Sequence, residues 1–90
     1  MRPLKKRKIA FNPKICYFKP QGVPLKILKE IQLSHDEVEA LRLKYLQGFD
    51  QTVCAQKMKI SQSTFQRILA KTNKKIARAL IQGQAIKICP

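Results

Sequence analysis

Acidic residues are scarce in this chain of 90 residues: five Asp and Glu stand against 19 Lys and Arg, for a formal net charge of +14. So large an excess of one sign points to an acidic partner. Long apolar runs are missing as well. The longest, residues 15–18, has four members, whereas a membrane span needs about 20 and a signal-peptide core about 7 to 15. A membrane partner is therefore excluded, and a soluble, unexported, cytoplasmic chain is expected. Cysteine is too sparse and too scattered for a framework: Cys16, Cys54 and Cys89 form no C-x-x-C pair, and the only histidine is His35. That excludes a disulfide scaffold and a zinc ribbon, and a Cys/His cluster would need four distant residues. No metal and no cofactor are expected.

Catalytic groups are equally thin. There is no Gly-rich phosphate loop, and Asp36, Glu37 and Glu39 are the only clustered carboxylates, at the start of one helical pattern where they cap and decorate it. His35 beside that cap is expected in solvent, so the chain is read as a non-enzyme. Ninety residues also exclude a multidomain protein. What is present is ordinary apolar content, 44% hydrophobic residues with four Phe and two Tyr, enough for one small core.

The charge is unevenly placed. Residues 1–30 carry +8, residues 31–50 carry −2 and residues 51–90 carry +8. Arg2, Lys5, Lys6, Arg7 and Lys8 precede any periodicity and read as a basic flexible arm over residues 1–8, able to follow phosphates or enter a minor groove. A single domain is expected over residues 9–90. Pro13, Pro20 and Pro24 rule out a helix in its first part. Short β pieces are expected at 8–11 and 15–18, with a loop at 19–24 and a helical turn or short strand at 25–31.

Ser34-His35-Asp36-Glu37 has the form of a capping box and starts a helix over about 34–47. Val38, Leu41, Tyr45 and Leu46 are its expected inward face, and Gly48 its stop. Asp50 caps a short helix over 51–58 with Cys54, Ala55 and Met58 inward. Ser61 caps a long one over 61–82, whose expected apolar stripe is Phe65, Ile68, Leu69, Thr72, Ile76, Ala79 and Leu80. A terminal strand follows at 85–89. The fold class is mainly α: a three-helix helix-turn-helix domain with short β segments near both ends.

Two helices joined by a turn of about three residues, the second capped by Ser, make the helix-turn-helix pattern. Ala55 permits close approach and Ile60 plugs the corner. Gln62, Ser63 and Gln66 can hydrogen-bond base edges, whereas Arg67, Lys71, Lys74, Lys75 and Arg78 suit phosphates. Double-stranded DNA is the expected partner, with the helix from Ser61 in the major groove. Two other readings stay open: a basic binder of structured RNA or ribosomes, and a protein-interaction module that meets the transcription machinery. A homodimer is a further option. Phe65 and Tyr45 fall on the expected core stripes, leaving Tyr17 or Phe18 as stacking platforms for RNA.

Residues 33–46, then Cys54-Ala55 and residues 58–65, resemble the helix-turn-helix of region 4 of bacterial sigma factors. A wider set, including Phe11-Asn12-Pro13, Tyr17-Phe18-Lys19-Pro20, Glu39-Ala40-Leu41-Arg42-Leu43 and Ser63-Thr64-Phe65, is similar to a small prokaryotic family of predicted DNA-binding proteins, domain of unknown function 134. That resemblance spans nearly the whole chain and implies DNA binding and regulation of transcription, without a known target. The chain departs from the family pattern in having Lys59 in place of Gly in the turn and Gln62 in place of Arg after the cap.

Overall fold

In the computed structural model of the chain, which describes residues 16–88, Ser34 starts the helical part as a reciprocal cap. Its hydroxyl accepts from the Glu37 N–H at 3.2 Å, and the Glu37 carboxylate accepts from the Ser34 N–H at 2.9 Å. Helix α1, His35–Leu41, follows. It runs on into one widened turn, Arg42–Leu46, where Gln47 N–H reaches back five residues to the Arg42 carbonyl. Gly48 at φ 77° then turns the chain. Asp50 caps α2, Gln51–Met58, through the Val53 N–H, and Ser61 caps α3, Gln62–Gln82, through the Thr64 N–H. The three helices agree with the boundaries expected from the caps.

Among the described residues three short strands complete the fold: β1, Tyr17–Phe18; β2, Glu30–Leu33; and β3, Ala85–Ile88. β3 lies in the centre, antiparallel to β1 and parallel to β2, with Phe18 opposite Ile86 and Ile31 opposite Ile86. The expected segment at 25–31 divides into a 3₁₀ turn, Leu25–Ile27, and the start of β2. The Tyr17 hydroxyl donates to Glu30 Oε2 at 2.6 Å, tying β1 to β2 across the central strand, and Lys19 Nζ donates to the Val23 carbonyl at 3.0 Å. Two residues of the Tyr-Phe-Lys-Pro segment thus fasten the sheet and the loop after it. The β piece expected at 8–11 and the basic arm lie outside the described residues.

The core lies between the helices. Ala40, Leu43, Cys54, Ala55, Phe65 and Leu69 are buried together, with Leu41, Phe49, Met58, Ile60 and Ile68 packed against them. Leu33, Ala79 and Ala85, also buried, lie in or beside the sheet. Thr72 is fully buried within the α3 stripe because its hydroxyl donates to the Ile68 carbonyl at 2.7 Å, leaving no unpaired polar atom.

Two expectations about the apolar faces are corrected. Tyr45 and Leu46 are 59% and 76% exposed. With Val38, Leu41 and Arg42 they line an open cleft of about 320 Å³. α1 turns Glu37, Ala40 and Leu43 inward instead, because small Ala40 allows close packing and Glu37 finds a cation on α3. Leu80 is also exposed. At about 100° per residue it lies at the angular edge of the stripe, level with Gln62, and outside the arc that Phe65, Leu69, Thr72 and Ala79 bury.

The α2 to α3 turn has a visible cost. Lys59 N–H donates to the Gln56 carbonyl and Ile60 N–H to the Ala55 carbonyl, the paired bonds of a left-handed helix terminus, and Lys59 stands at φ 60°, ψ 44°. A side chain there costs about 1 kcal/mol relative to glycine. Lys59→Gly is expected to raise stability by roughly 0.5 kcal/mol, after the greater freedom of glycine in the unfolded chain is counted. Urea unfolding of the two proteins checks this, and a lower midpoint for the variant would contradict it.

Candidate nucleic-acid interface

The turn is three residues long, 59–61, and each residue has one task. Lys59 takes the left-handed corner, Ile60 packs on the core, and Ser61 caps α3. The Ser61 hydroxyl accepts from the Thr64 N–H at 3.1 Å, donates to Thr64 Oγ1 at 2.8 Å and lies 3.3 Å from Ser63 Oγ. The N-terminus of α3 is thereby fixed, and Gln62, Ser63 and Gln66 stand exposed on its first turns.

α3 is 21 residues long, or about 31 Å at 1.5 Å per residue. Taking about 100° per residue and Gln62 as zero, the exposed face divides in two. Gln62, Asn73 and Gln66 occupy roughly 0 to 40°, a flank of uncharged amides. Lys74, Arg67, Arg78 and Lys71 occupy roughly 120 to 180°, a cationic flank. Small Ala70 and Ala77, both exposed, fall between them. The amides can read base edges and the cations can meet phosphates, and a single helix presents both.

The structure separates the five expected phosphate residues. Arg67, Lys74 and Arg78 are exposed, and among the described residues no carboxylate lies within ion-pair distance of them. Lys75 is placed differently: its ammonium donates to Glu37 Oε1 at 2.9 Å and to the Gln32 carbonyl at 2.8 Å, joining α3 to α1 and β2. Lys71 is exposed but lies with Lys75, Asp36 and Glu37 around a cleft of about 330 Å³, so part of its field is spent on acids. Burial pushes the Glu37 carboxyl up, but the Ser34 N–H, Lys75 and the more distant Lys71 outweigh it and hold the group below its ordinary value.

One feature lies outside what the residue pattern suggested. Tyr45, expected inside, stands at the surface beside α3, and its hydroxyl accepts from Asn73 Nδ2 at 3.0 Å. Phe18, one of the two rings left as stacking candidates by the sequence, is about half exposed on β1. Only the long range of the Tyr45–Asn73 contact, 28 residues, hid it: tyrosine at a helix end and asparagine in mid-helix are both residues that look for polar partners. Among the described residues no group of three or more His, Cys, Asp or Glu could hold a metal ion. Among the same residues no helix is long and apolar enough to cross a membrane.

Comparison with known proteins gives a family. The profile described as "Protein of unknown function DUF134" matches residues 1–89. A "UPF0251 protein" of Halothermothrix orenii is 52% identical over 96% of this chain and 64% of its own length, and one of Desulforudis audaxviator is 52% identical over 97% and 57%. A third, of Dehalococcoides mccartyi, is 51% identical over 97% and 74%. The chain thus spans about three fifths of the length of the first two relatives. No solved structure matches it.

Proposed function

The chain belongs to the DUF134 family, whose function is unknown, and from its own surface we propose that it is a sequence-specific duplex-DNA-binding protein that regulates transcription in the cytoplasm. The observation that carries this is α3 itself. A capped three-residue turn delivers a rigid helix that has amides on one flank and exposed cations on the other. A groove about 12 Å wide and 8.5 Å deep admits such a helix. A net charge of +14 supplies the long-range attraction. Selection of sites from random duplex DNA at physiological salt, with single-stranded DNA and structured RNA as competitors, tests the proposal. Enrichment of a defined duplex site is the expected result; competition by structured RNA at lower concentration than by duplex would overturn it. The exposed rings of Phe18 and Tyr45 favour structured RNA as the second reading, since single-stranded bases stack on such rings.

Within the DNA reading, Gln66 is assigned to a base. It sits one turn beyond Gln62 on the same flank, and a glutamine amide matches the N7 acceptor and N6 donor of adenine. Gln66→Ala is expected to lose about 1 to 3 kcal/mol of discrimination at one position of the selected site while the salt dependence stays as it was. The measurement is a repeat selection with the folded variant. An unchanged site would move base reading to another residue, and uniformly weaker binding would make Gln66 a phosphate contact.

A further inference from the structure

α1 reaches the surface at its widened last turn, and there Tyr45 leaves the core and lies against the amide flank of α3. Its hydroxyl accepts a hydrogen bond from Asn73 Nδ2 at 3.0 Å, while the side chain remains 59% exposed. A phenol oxygen that accepts one bond still has its own O–H to give, and accepting that bond strengthens it as a donor. The tie to Asn73 also removes rotational freedom from a side chain that would otherwise move over the surface.

Where that donor sits is fixed by α3. Asn73 lies seven residues beyond Gln66, about 10 Å further along the axis, and at about 20° from Gln62, against roughly 120 to 180° for Lys74, Arg67 and Arg78. With Gln62 and Gln66 at the floor of the major groove, the next two turns of α3 pass between its two phosphate walls. The cations face one wall. Asn73 continues the line of Gln62 and Gln66, and Tyr45, reaching it from the side of the buried arc, stands across that line from the cations.

We infer that Tyr45, held by Asn73, donates its hydroxyl to a backbone phosphate on the strand opposite the one met by Arg67, Lys74 and Arg78. This rests on the duplex-DNA reading and adds a neutral contact to it. Neutrality separates the two kinds of contact by experiment. A cation that meets a phosphate releases counterions and contributes about −0.9 to the slope of log K against log salt; a phenol releases none.

The test uses the full chain, its selected duplex, and the same duplex with single phosphates replaced in turn by uncharged methylphosphonates. Tyr45→Phe keeps the ring and removes the hydroxyl. It is expected to weaken binding about tenfold, in line with a hydrogen bond to a charged group, with the salt slope unchanged. At one phosphate, methylphosphonate replacement should weaken the wild type and leave Tyr45→Phe no weaker than before. Asn73→Ala, which leaves the phenol but frees it, should give a smaller loss at that same phosphate. Wild-type affinity in Tyr45→Phe, or a loss that no single phosphate shares, would overturn the inference and reduce the pair to a tie between helices. A wild-type chain that selects no duplex would remove the DNA reading itself, which is a different result from a wild-type chain that binds and a variant that equals it.

Discussion

Lys75→Met is expected to destabilise the protein by about 3 kcal/mol, whereas Lys74→Met, one residue away, should change stability by less than about 0.5 kcal/mol. The difference comes from position alone. Lys74 is exposed. The Lys75 ammonium meets a Glu37 side chain that is only 7% exposed, and removing it would leave a nearly buried carboxylate with the Ser34 N–H as its remaining close partner. The double variant Glu37→Met, Lys75→Met should recover most of the loss, because replacing both charges removes the desolvation cost along with the attraction. Urea unfolding at pH 7 measures all four proteins; equal losses at positions 74 and 75 would show that the buried pair contributes nothing particular.

The same pair sets an acid limit. The folded protein holds the Glu37 carboxyl below its ordinary value, so its contribution is present above the unfolded value, about 4.3, and is lost as pH falls through the lower folded value. In Lys75→Met burial acts with less opposition, so the carboxyl moves up from its wild-type value. The variant should therefore gain on the wild type as pH falls from 6 to 3, and parallel stability profiles over that range would contradict the assignment.

The second large effect concerns binding. Replacing Arg67, Lys74 and Arg78 together by Ala should reduce the magnitude of the slope of log K against log salt by about 2.7, and cost on the order of 100-fold in duplex affinity at physiological salt. Lys71→Ala should change the slope less than any one of the three, since Glu37 and Asp36 already take part of its field. Stability should hardly move, because the three side chains are exposed. Titrations of a labelled duplex at several salt concentrations give both quantities. A triple variant with the wild-type slope would place the phosphate contacts elsewhere on this basic chain.

The helices were legible because their ends are written locally. Ser34 with Glu37, Asp50, Ser61 and Gly83 each satisfy backbone groups within a few residues of themselves, and Gly48 takes the positive φ that ends the first helix, so a short window of sequence contains the whole cause. Which way α1 rolls is not local. Its more apolar arc, Val38, Leu41, Tyr45 and Leu46, is the one left outside, while Glu37, Ala40 and Leu43 turn inward, and what favours that choice is Lys75, 38 residues from Glu37. Leu80 misled for a related reason: periodicity puts it at the edge of a stripe, and only the neighbours present at that height decide whether an edge is covered. In the candidate interface the cationic flank and the glutamines could be read from spacing. Removing Lys75 from the phosphate residues and adding Tyr45 beside them required contacts across 43 and 28 residues.

The central place of β3 also governs the order in which the chain can assemble. Both strands that flank it, β1 and β2, precede the helices, and among the described residues both pair only with residues 85–88. During synthesis the two early strands are therefore made first and wait, with open edges, while α1, α2 and most of α3 acquire their short-range contacts. Closing β2 onto β3 joins residues 55 apart, from Glu30 to Ala85, and such distant pairings are the slow ones. Amide exchange in a refolding chain should accordingly protect Cys54 and Phe65 before Ile86.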